Sequence, residues 1–233
     1  SDRMMPTVVS TAIVEEASEL GVQRVLSRMG LDDERAHDDL SELRQLLSAV
    51  QKPGRYAGRE WNSVCKDWSH VRATLALAYP DLYEIGMSNL GLALLYDCVN
   101  QREDLVAERV YAPWPDMQGA LQAAGLPLYS LETRHALADF DVIGFSLQHE
   151  LTYANMLGML AAGGVPVLTV QRGSSDPLIV AGGSCTYNPA PMADFCDVFA
   201  IGEGEQVLIE LLDVVAEWKA QRSSAADSRI QLL

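Results

Sequence analysis

The sequence is poor in basic residues. Its 233 residues include 17 Lys and Arg against 32 Asp and Glu, which gives a formal net charge of −15 at pH 7. A protein that binds a nucleic-acid backbone needs a basic stripe, and no cluster of Lys or Arg interrupts the acidity here. The bulk charge therefore excludes nucleic acid as the main partner, and we interpret the acidity as a solubility feature.

Long apolar runs are also missing. No run approaches the length that crosses a bilayer, and the start, Ser1–Met5, lacks the pattern of a secretory signal peptide. These absences predict a cytoplasmic protein with no membrane partner. Hydrophobic residues nevertheless make up 48% of the chain, which is enough to bury a sizeable core.

Cysteine is scarce, and its spacing excludes several kinds of site. Cys65, Cys98, Cys185 and Cys196 lie far apart, without a CxxC pair or a histidine at metal-binding spacing. This usage is typical of buried thiols in a reducing compartment, so we predict no metal ligands and no catalytic residues. Cys185 follows a pair of glycines and is expected to line a site, but no histidine nearby in sequence activates it as a nucleophile.

Common enzyme signatures are absent as well. The sequence contains no GxGxxG after its first predicted strand, no GxxxxGK[ST] and no GxSxG. A dinucleotide site, a P-loop and a self-contained hydrolase therefore lose their main support.

What the chain does have is glycine directly after short apolar runs. Gly182 and Gly183 follow Leu178–Val180, and Gly202 and Gly204 follow a second run that ends at Ile201. Glycine at the end of a buried strand lets the loop turn sharply and lets a ligand approach the backbone. Two such ends side by side in a parallel sheet would frame the crevice where open α/β folds bind cofactors.

The pattern along the chain divides it into three parts. Residues 1–60 read as a helical extension, residues 61–220 as an α/β domain, and residues 221–233 as a linker or truncated tail. Within the α/β part, short β-branched runs alternate with helical segments, which predicts a flavodoxin-like, doubly wound parallel sheet. The predicted strands are Ala73–Tyr79, Val106–Tyr111, Pro127–Leu131, Asp141–Ser146, Val165–Thr169, Leu178–Val180 and Asp197–Ile201. The predicted helices are Leu90–Asn100, Met117–Ala124, Leu151–Ala162 and Gln206–Ala220.

Thirteen residues after the predicted strands are candidates for a cofactor-binding surface. Each type has a structural alternative: a carboxylate in the first turn of a helix complements its dipole, and Ser or Asn before a helix caps it. The binding interpretation is that the glycines allow close backbone approach while side chains such as Ser146 and Glu203 donate or accept hydrogen bonds. The candidates are Tyr83, Glu84, Ser88, Asn89, Ser146, Gln148, His149, Gly182, Gly183, Cys185, Gly202, Glu203 and Gly204.

Several blocks together resemble the N-terminal region of an uncharacterised group of bacterial radical SAM proteins. The blocks are Lys52–Tyr56, Tyr79–Gly91, Ala107–Trp114, Asp141–Glu150, and Ala181–Gly183 with Gly202–Glu205. The resemblance covers roughly Gln51 to Lys219. It implies a cobalamin-binding-type, Rossmann-like domain that precedes a catalytic radical SAM barrel and has that barrel as its partner.

The departures from the family pattern limit what this chain can do. The CxxxCxxC motif that holds a [4Fe–4S] cluster is absent, so the cluster and S-adenosylmethionine belong to a catalytic domain outside this sequence. The DxHxxG motif of cobalamin domains is absent too, so any cobalamin would bind without a histidine lower ligand. Two interpretations stay open: an accessory domain of a radical SAM enzyme that binds a corrinoid or docks substrate or the catalytic domain, not catalytic alone, and a degenerate scaffold or interaction module without a cofactor.

Overall fold

The computed structural model describes Glu60 and residues 62–221. The predicted helical extension up to residue 59 and the predicted tail from residue 222 lie outside the described residues.

The described part is built on one five-stranded sheet in which all strand pairs are parallel. The strands stand in the order β2-β1-β3-β4-β5, which is the order of flavodoxin-like folds. This confirms the prediction of an α/β fold with a parallel sheet. The strands are β1 (Ala73–Tyr79), β2 (Leu105–Tyr111), β3 (Val142–Ser146), β4 (Leu178–Gly182) and β5 (Val198–Phe199).

In the part of the chain that the structure describes, five α-helices connect or follow the strands. They are α1 (Tyr83–Gly86), α2 (Leu90–Asn100), α3 (Pro115–Ala124), α4 (Tyr153–Ala162) and α5 (Gly204–Gln221). Each of the four predicted helices is present: α2 has the predicted bounds, α3 and α5 are longer by one or two residues at an end, and α4 begins two residues later than predicted. Within the described residues, no helix combines the length and the apolar composition of a membrane-spanning segment.

Both faces of the sheet are buried. On one face α2 and α5 pack against each other and against the sheet, burying side chains such as Leu92 and Leu212 over Leu75. Strand side chains alternate between faces, and those that point the other way, such as Ile143 and Phe145, are just as inaccessible. The buried residues Met117 and Leu121 of α3, and Met156, Met159 and Leu160 of α4, account for the second layer.

Charged and polar groups fix the ends of α2 and α5 that lie farthest from the carboxyl edge of the sheet. Lys66 Nζ donates to the carbonyl oxygens of Asn100, Arg102 and Leu105 at 2.6–2.9 Å, which satisfies acceptors at the end of α2. Lys219, in the last turn of α5, contacts Asp141 at 2.7 Å. Both helices are therefore anchored at the amino edge of the sheet.

Two predicted strands are wrong, and in each case hydrogen bonding gives the reason. The segment predicted as Pro127–Leu131 donates one backbone hydrogen bond to β2, from Leu131 N to Arg109 O, and otherwise forms an isolated bridge between Tyr129 and Ala136. The segment predicted as Val165–Thr169 follows α4, and Val165 N donates back to Leu160 O. It does not pair with β4, because β3 and β5 occupy both edges of that strand.

Side chains seal the free edge of β2. The amide of Asn100 donates to Ala107 O and accepts from Ala107 N, at 3.0 and 3.1 Å. Two residues farther along, Arg109 N donates to Glu132 at 2.8 Å. These bonds take the place of another strand, so the edge offers few free groups for pairing with a second chain.

The edge also buries three charged side chains, Glu108, Arg109 and Glu132. Arg109 Nε contacts Glu132 Oε1 at 2.7 Å, with 3% and 0% of the two side chains exposed. Burial raises the pKa of Glu132, whereas Arg109 lowers it. On the opposite face, Glu108 accepts hydrogen bonds from Trp68, Ser130 and Thr133. Glu108 and Arg109, which are adjacent in β2, thus tie residues 62–68 and 130–133 to the sheet.

A second, more exposed network joins the start of β2 to α5. Arg102 contacts Asp104 at 2.9 Å and Asp213 at 3.0 Å, and Arg72 contacts Asp104 at 3.1 Å. The hydrogen bond from Arg102 is the largest cause that lowers the pKa of Asp104 from 3.8 to about 2.

The Arg109→Leu variant should lose about 3–5 kcal/mol of unfolding free energy, because it leaves a buried carboxyl without its partner. The pKa of Glu132 is already raised to about 7 in the folded wild type, and without Arg109 the carboxyl would keep its proton to a still higher pH. The loss should therefore grow as the pH rises above about 7. Urea unfolding followed by circular dichroism measures both effects. Replacing both residues by Leu should recover much of the loss, and an Arg109→Leu loss below about 1 kcal/mol would contradict a tightly buried pair.

The Asp104→Asn variant should be less stable than the wild type at neutral pH, and the difference should vanish in acid. The depressed pKa of Asp104 means that its carboxylate stabilises the folded chain above pH 3.8, an effect lost as the pH falls through about 2. Thermal unfolding of both proteins across this range tests the sign. Asp97→Asn, on the exposed side of α2, is the matched control, and a difference that persists at the lowest pH would contradict the assignment.

Candidate functional site

A cavity of about 300 Å³ lies between the sheet and the layer of α2 and α5. Its lining includes the carboxyl ends of β3 and β4, together with β5 and the first turns of α5. The volume is at the lower end of the range for small-molecule sites. The cavity therefore lies at the carboxyl edge of the sheet, where open α/β folds bind their ligands, but its strand lining comes mainly from β3 to β5 and not from the switch point between β1 and β3.

The floor of the cavity exists because large side chains are missing from one face of β3 and β4. Gly144 pairs with Val180 and Ser146 pairs with Gly182, so each pair contains a glycine and neither contains a large side chain. Lower on the same face, Val142 and Leu178 fill the corresponding space and are buried in the core. A Cβ at Gly182 would meet nothing closer than 4.0 Å, which shows that the space above it is open.

The walls are apolar and the mouth is polar. Leu92 and Leu95 of α2, and Val207, Leu208 and Leu211 of α5, line the sides. Polar side chains are found at the end of β3 and before α5: Ser146, Gln148, Glu203 and Glu205. Gln148 Nε2 donates to Ser146 Oγ at 2.9 Å. The arrangement suits an apolar, flat group that makes its few hydrogen bonds at the mouth.

At two positions of the mouth the backbone conformation requires glycine. Gly183 has φ +97°, and a Cβ there would come within 2.6 Å of Leu147 O. Gly202 has φ +108°, and no atom lies within 4 Å of the position that a Cβ would take there. Gly183 therefore serves the close approach of two loops of the chain itself, whereas Gly202 serves the sharp turn that leads into α5.

Seven of the thirteen predicted site residues come together in this cavity. They belong to the loops after β3, β4 and β5, and they are Ser146, Gln148, Gly182, Gly183, Gly202, Glu203 and Gly204.

The four predicted residues after β1 do not line the cavity and have local roles. Tyr83 donates to Glu60 Oε1 at 2.8 Å, and burial together with this carboxylate raises the pKa of Tyr83 to about 12. Asn89 caps α2 by accepting from Leu92 N at 2.8 Å, and Ser88 Oγ donates to Glu84 O. The structural alternative of helix capping is therefore the one that the geometry supports for Asn89.

His149 and Cys185 also lie outside the cavity lining. His149 is exposed, and its carbonyl accepts from Thr152 N and Oγ1 at the start of α4. Cys185 is half-buried and faces the first residue of α4, Tyr153. Burial, followed by its interaction with Cys185, raises the pKa of Tyr153 to about 12. The thiol thus contacts the layer of helices opposite the cavity.

Gly144 and the apolar walls are not among the residues predicted from the sequence. Gly144 lies inside the apolar run of β3, and an isolated glycine within a strand is a signal of close approach that could have identified the floor. The Leu and Val side chains of α2 and α5 carry no such signal, because core-facing residues show the same spacing.

No metal centre is formed by the described residues. Among them, no three His, Cys, Asp or Glu side chains come together in a way that could hold a metal ion. None of the residues that line the cavity is a histidine.

Comparison with known proteins gives two family matches. The model of the family described as "Radical SAM proteins, N-terminal" matches residues 91–232, and that of a family of unknown function matches residues 9–64. The first match includes α2, the strands from β2 to β5 and the whole cavity lining except Leu77.

A curated protein is similar to part of this chain. An uncharacterised protein of Methanocaldococcus jannaschii, MJ0966, is 25% identical over 142 residues, which is 60% of this chain and 26% of the relative. The chain thus spans about a quarter of the length of the curated relative it matches. No solved structure matches the chain significantly. Because the first family model covers more than half of the sequence, the chain belongs to the family of N-terminal regions of radical SAM proteins.

Proposed function

We propose that this chain is an accessory domain of a radical SAM enzyme and that its cavity receives the nucleotide tail of a corrinoid. The chain lacks the CxxxCxxC motif of the cluster-binding domain. We therefore assign the [4Fe–4S] cluster and S-adenosylmethionine to another part of a longer protein, and we regard this chain as not catalytic by itself.

The observation that carries the proposal is the glycine floor beneath apolar walls. A planar aromatic base could lie flat over Gly144 and Gly182, with Leu92, Leu95 and Leu208 around it. The large corrin ring would remain outside, because about 300 Å³ holds only the tail of such a cofactor. The carboxylates at the mouth disfavour phosphate charge, and the tail of a corrinoid carries one negative charge on its phosphodiester, whereas a free nucleotide carries two or more.

The residues at the mouth would hold the tail by hydrogen bonds. Ser146 Oγ is placed to donate or accept there, and Glu203 offers an acceptor at the turn before α5. Since no histidine lines the cavity, cobalt would have no lower ligand from it. When bound, the corrin supplies the reactive chemistry, while these residues bind and orient it.

A titration with hydroxocobalamin, followed by desalting and absorbance, tests the proposal. The wild-type chain should retain close to one equivalent. Gly182→Leu should weaken retention by on the order of tenfold or more, because the new side chain fills the floor without a positive φ to strain it.

The control is Gly158→Leu, an exposed helical glycine with nothing within 4 Å of its Cβ position. This variant should bind like the wild type and be at least as stable. Absence of retention by the wild-type chain, or equal retention by the Gly182→Leu variant, would overturn the corrinoid proposal.

A second candidate function is a scaffold module without a cofactor. It is favoured by apolar side chains that remain exposed at the carboxyl edge of the sheet, among them Leu90 at 72% and Leu151 at 87%. Such exposure is typical of surfaces that contact another protein. Stoichiometric cobalamin retention would distinguish the corrinoid-binding domain from this module.

A further inference from the structure

Exposed apolar side chains collect on the loops that follow the strands. Every strand except β2 is followed by at least one such side chain, even though these loops come from distant parts of the sequence. Parallel strands place all these loops at one edge of the sheet. The residues are Ile85, Leu90, Leu151, Tyr187, Ile201 and Val207, and we call them the carboxyl-edge patch.

The same loops carry negative charge. Exposed carboxylates follow β1, β2, β3 and β5, at Glu84, Asp116, Glu150, Glu203 and Glu205. The sequences of these connecting loops (residues 80–90, 112–116, 147–152, 183–189 and 200–205) contain neither Lys nor Arg.

The opposite edge of the sheet has a different character. Arg72 and Arg102 precede β1 and β2, and each is paired with Asp104. Acidic and basic side chains therefore neutralise one another at the amino edge, whereas the carboxyl edge combines apolar side chains with charge of one sign.

We propose that the carboxyl-edge patch docks the catalytic part of the same radical SAM protein, through a surface whose apolar side chains are surrounded by Lys and Arg. This inference rests on the assignment of the chain as an accessory domain, but not on cobalamin binding. The carboxylates around the patch favour a basic partner surface, and the family match makes the catalytic part of the same protein the partner. A second copy of this chain would bring like charges together, which disfavours self-association through this edge.

Thiol labelling tests the surface with two equally exposed positions. Leu151 lies in the patch and Val170 lies before β4; their exposed fractions are 87% and 88%, and both sit in a single turn of 3-10 helix. Leu151→Cys and Val170→Cys are prepared in the full-length protein and in the 233-residue chain. Maleimide labelling of each position is followed by mass spectrometry of its own peptide, which separates it from the native thiols.

Docking predicts that Leu151→Cys is labelled on the order of tenfold more slowly in the full-length protein than in the 233-residue chain, since an interface core excludes solvent. Val170→Cys should react equally fast in both. Equal rates for Leu151→Cys would overturn the proposal. Slow labelling in both proteins would also overturn it, because the patch would then be covered by this chain itself or by a second copy.

The charge of the partner is tested by Glu150→Lys in the full-length Leu151→Cys protein. This charge reversal in the rim should remove the difference in labelling rate between the full-length protein and the 233-residue chain when both carry the same two substitutions, because a lysine beside the thiol raises its reactivity equally in both. High salt should also remove the difference, by screening. Glu103→Lys, an exposed carboxylate between α2 and β2, should change nothing. If Leu151→Cys stays protected from labelling in the Glu150→Lys variant and at high salt, the proposal of a basic partner surface is overturned. Hydroxocobalamin retention by the same variants reports on the corrinoid separately.

Discussion

The alignment of β3 on β4 is the constraint on which the rest of the site depends. The register places Gly144 beside Val180 and Ser146 beside Gly182, so the side chains on this face become smaller toward the carboxyl ends of the two strands. Helices α2 and α5 rest on the larger residues lower on the same face, including Leu75 and Val142. A shift of one residue would turn these positions to the other face and close the cavity.

The sequence predicted the fold well because hydrophobic pattern and helix signals agreed. The apolar run of β1 and the Asn89 cap of α2 are local signals of these elements that can be read from the sequence. The two wrong strands have the same composition as real ones, but Pro127–Leu131 meets an edge of β2 already sealed by side chains. Whether an apolar run becomes a strand depends on an open neighbouring edge, and no local pattern reports that.

Part of the site could be predicted from the sequence. Glycines after β4 and β5 identified the loops at the mouth, because glycine at a strand end has few structural alternatives. The polar residues after β1 have structural roles instead: Asn89 caps α2, and Tyr83 donates a hydrogen bond to Glu60. Sequence order gives the edge at which a loop lies, but it does not give which side of the sheet a side chain faces.

Charged and polar groups anchor α2 and α5 at the ends that lie farthest from the cavity. Lys66 and Asn100 hold the far end of α2, and Lys219 holds the far end of α5, through charged or amide groups with fixed geometry. At the ends that border the cavity, Leu and Val side chains of the two helices line its walls. The charged and amide anchors thus lie away from the cavity, and the helical surfaces that a ligand would touch are apolar.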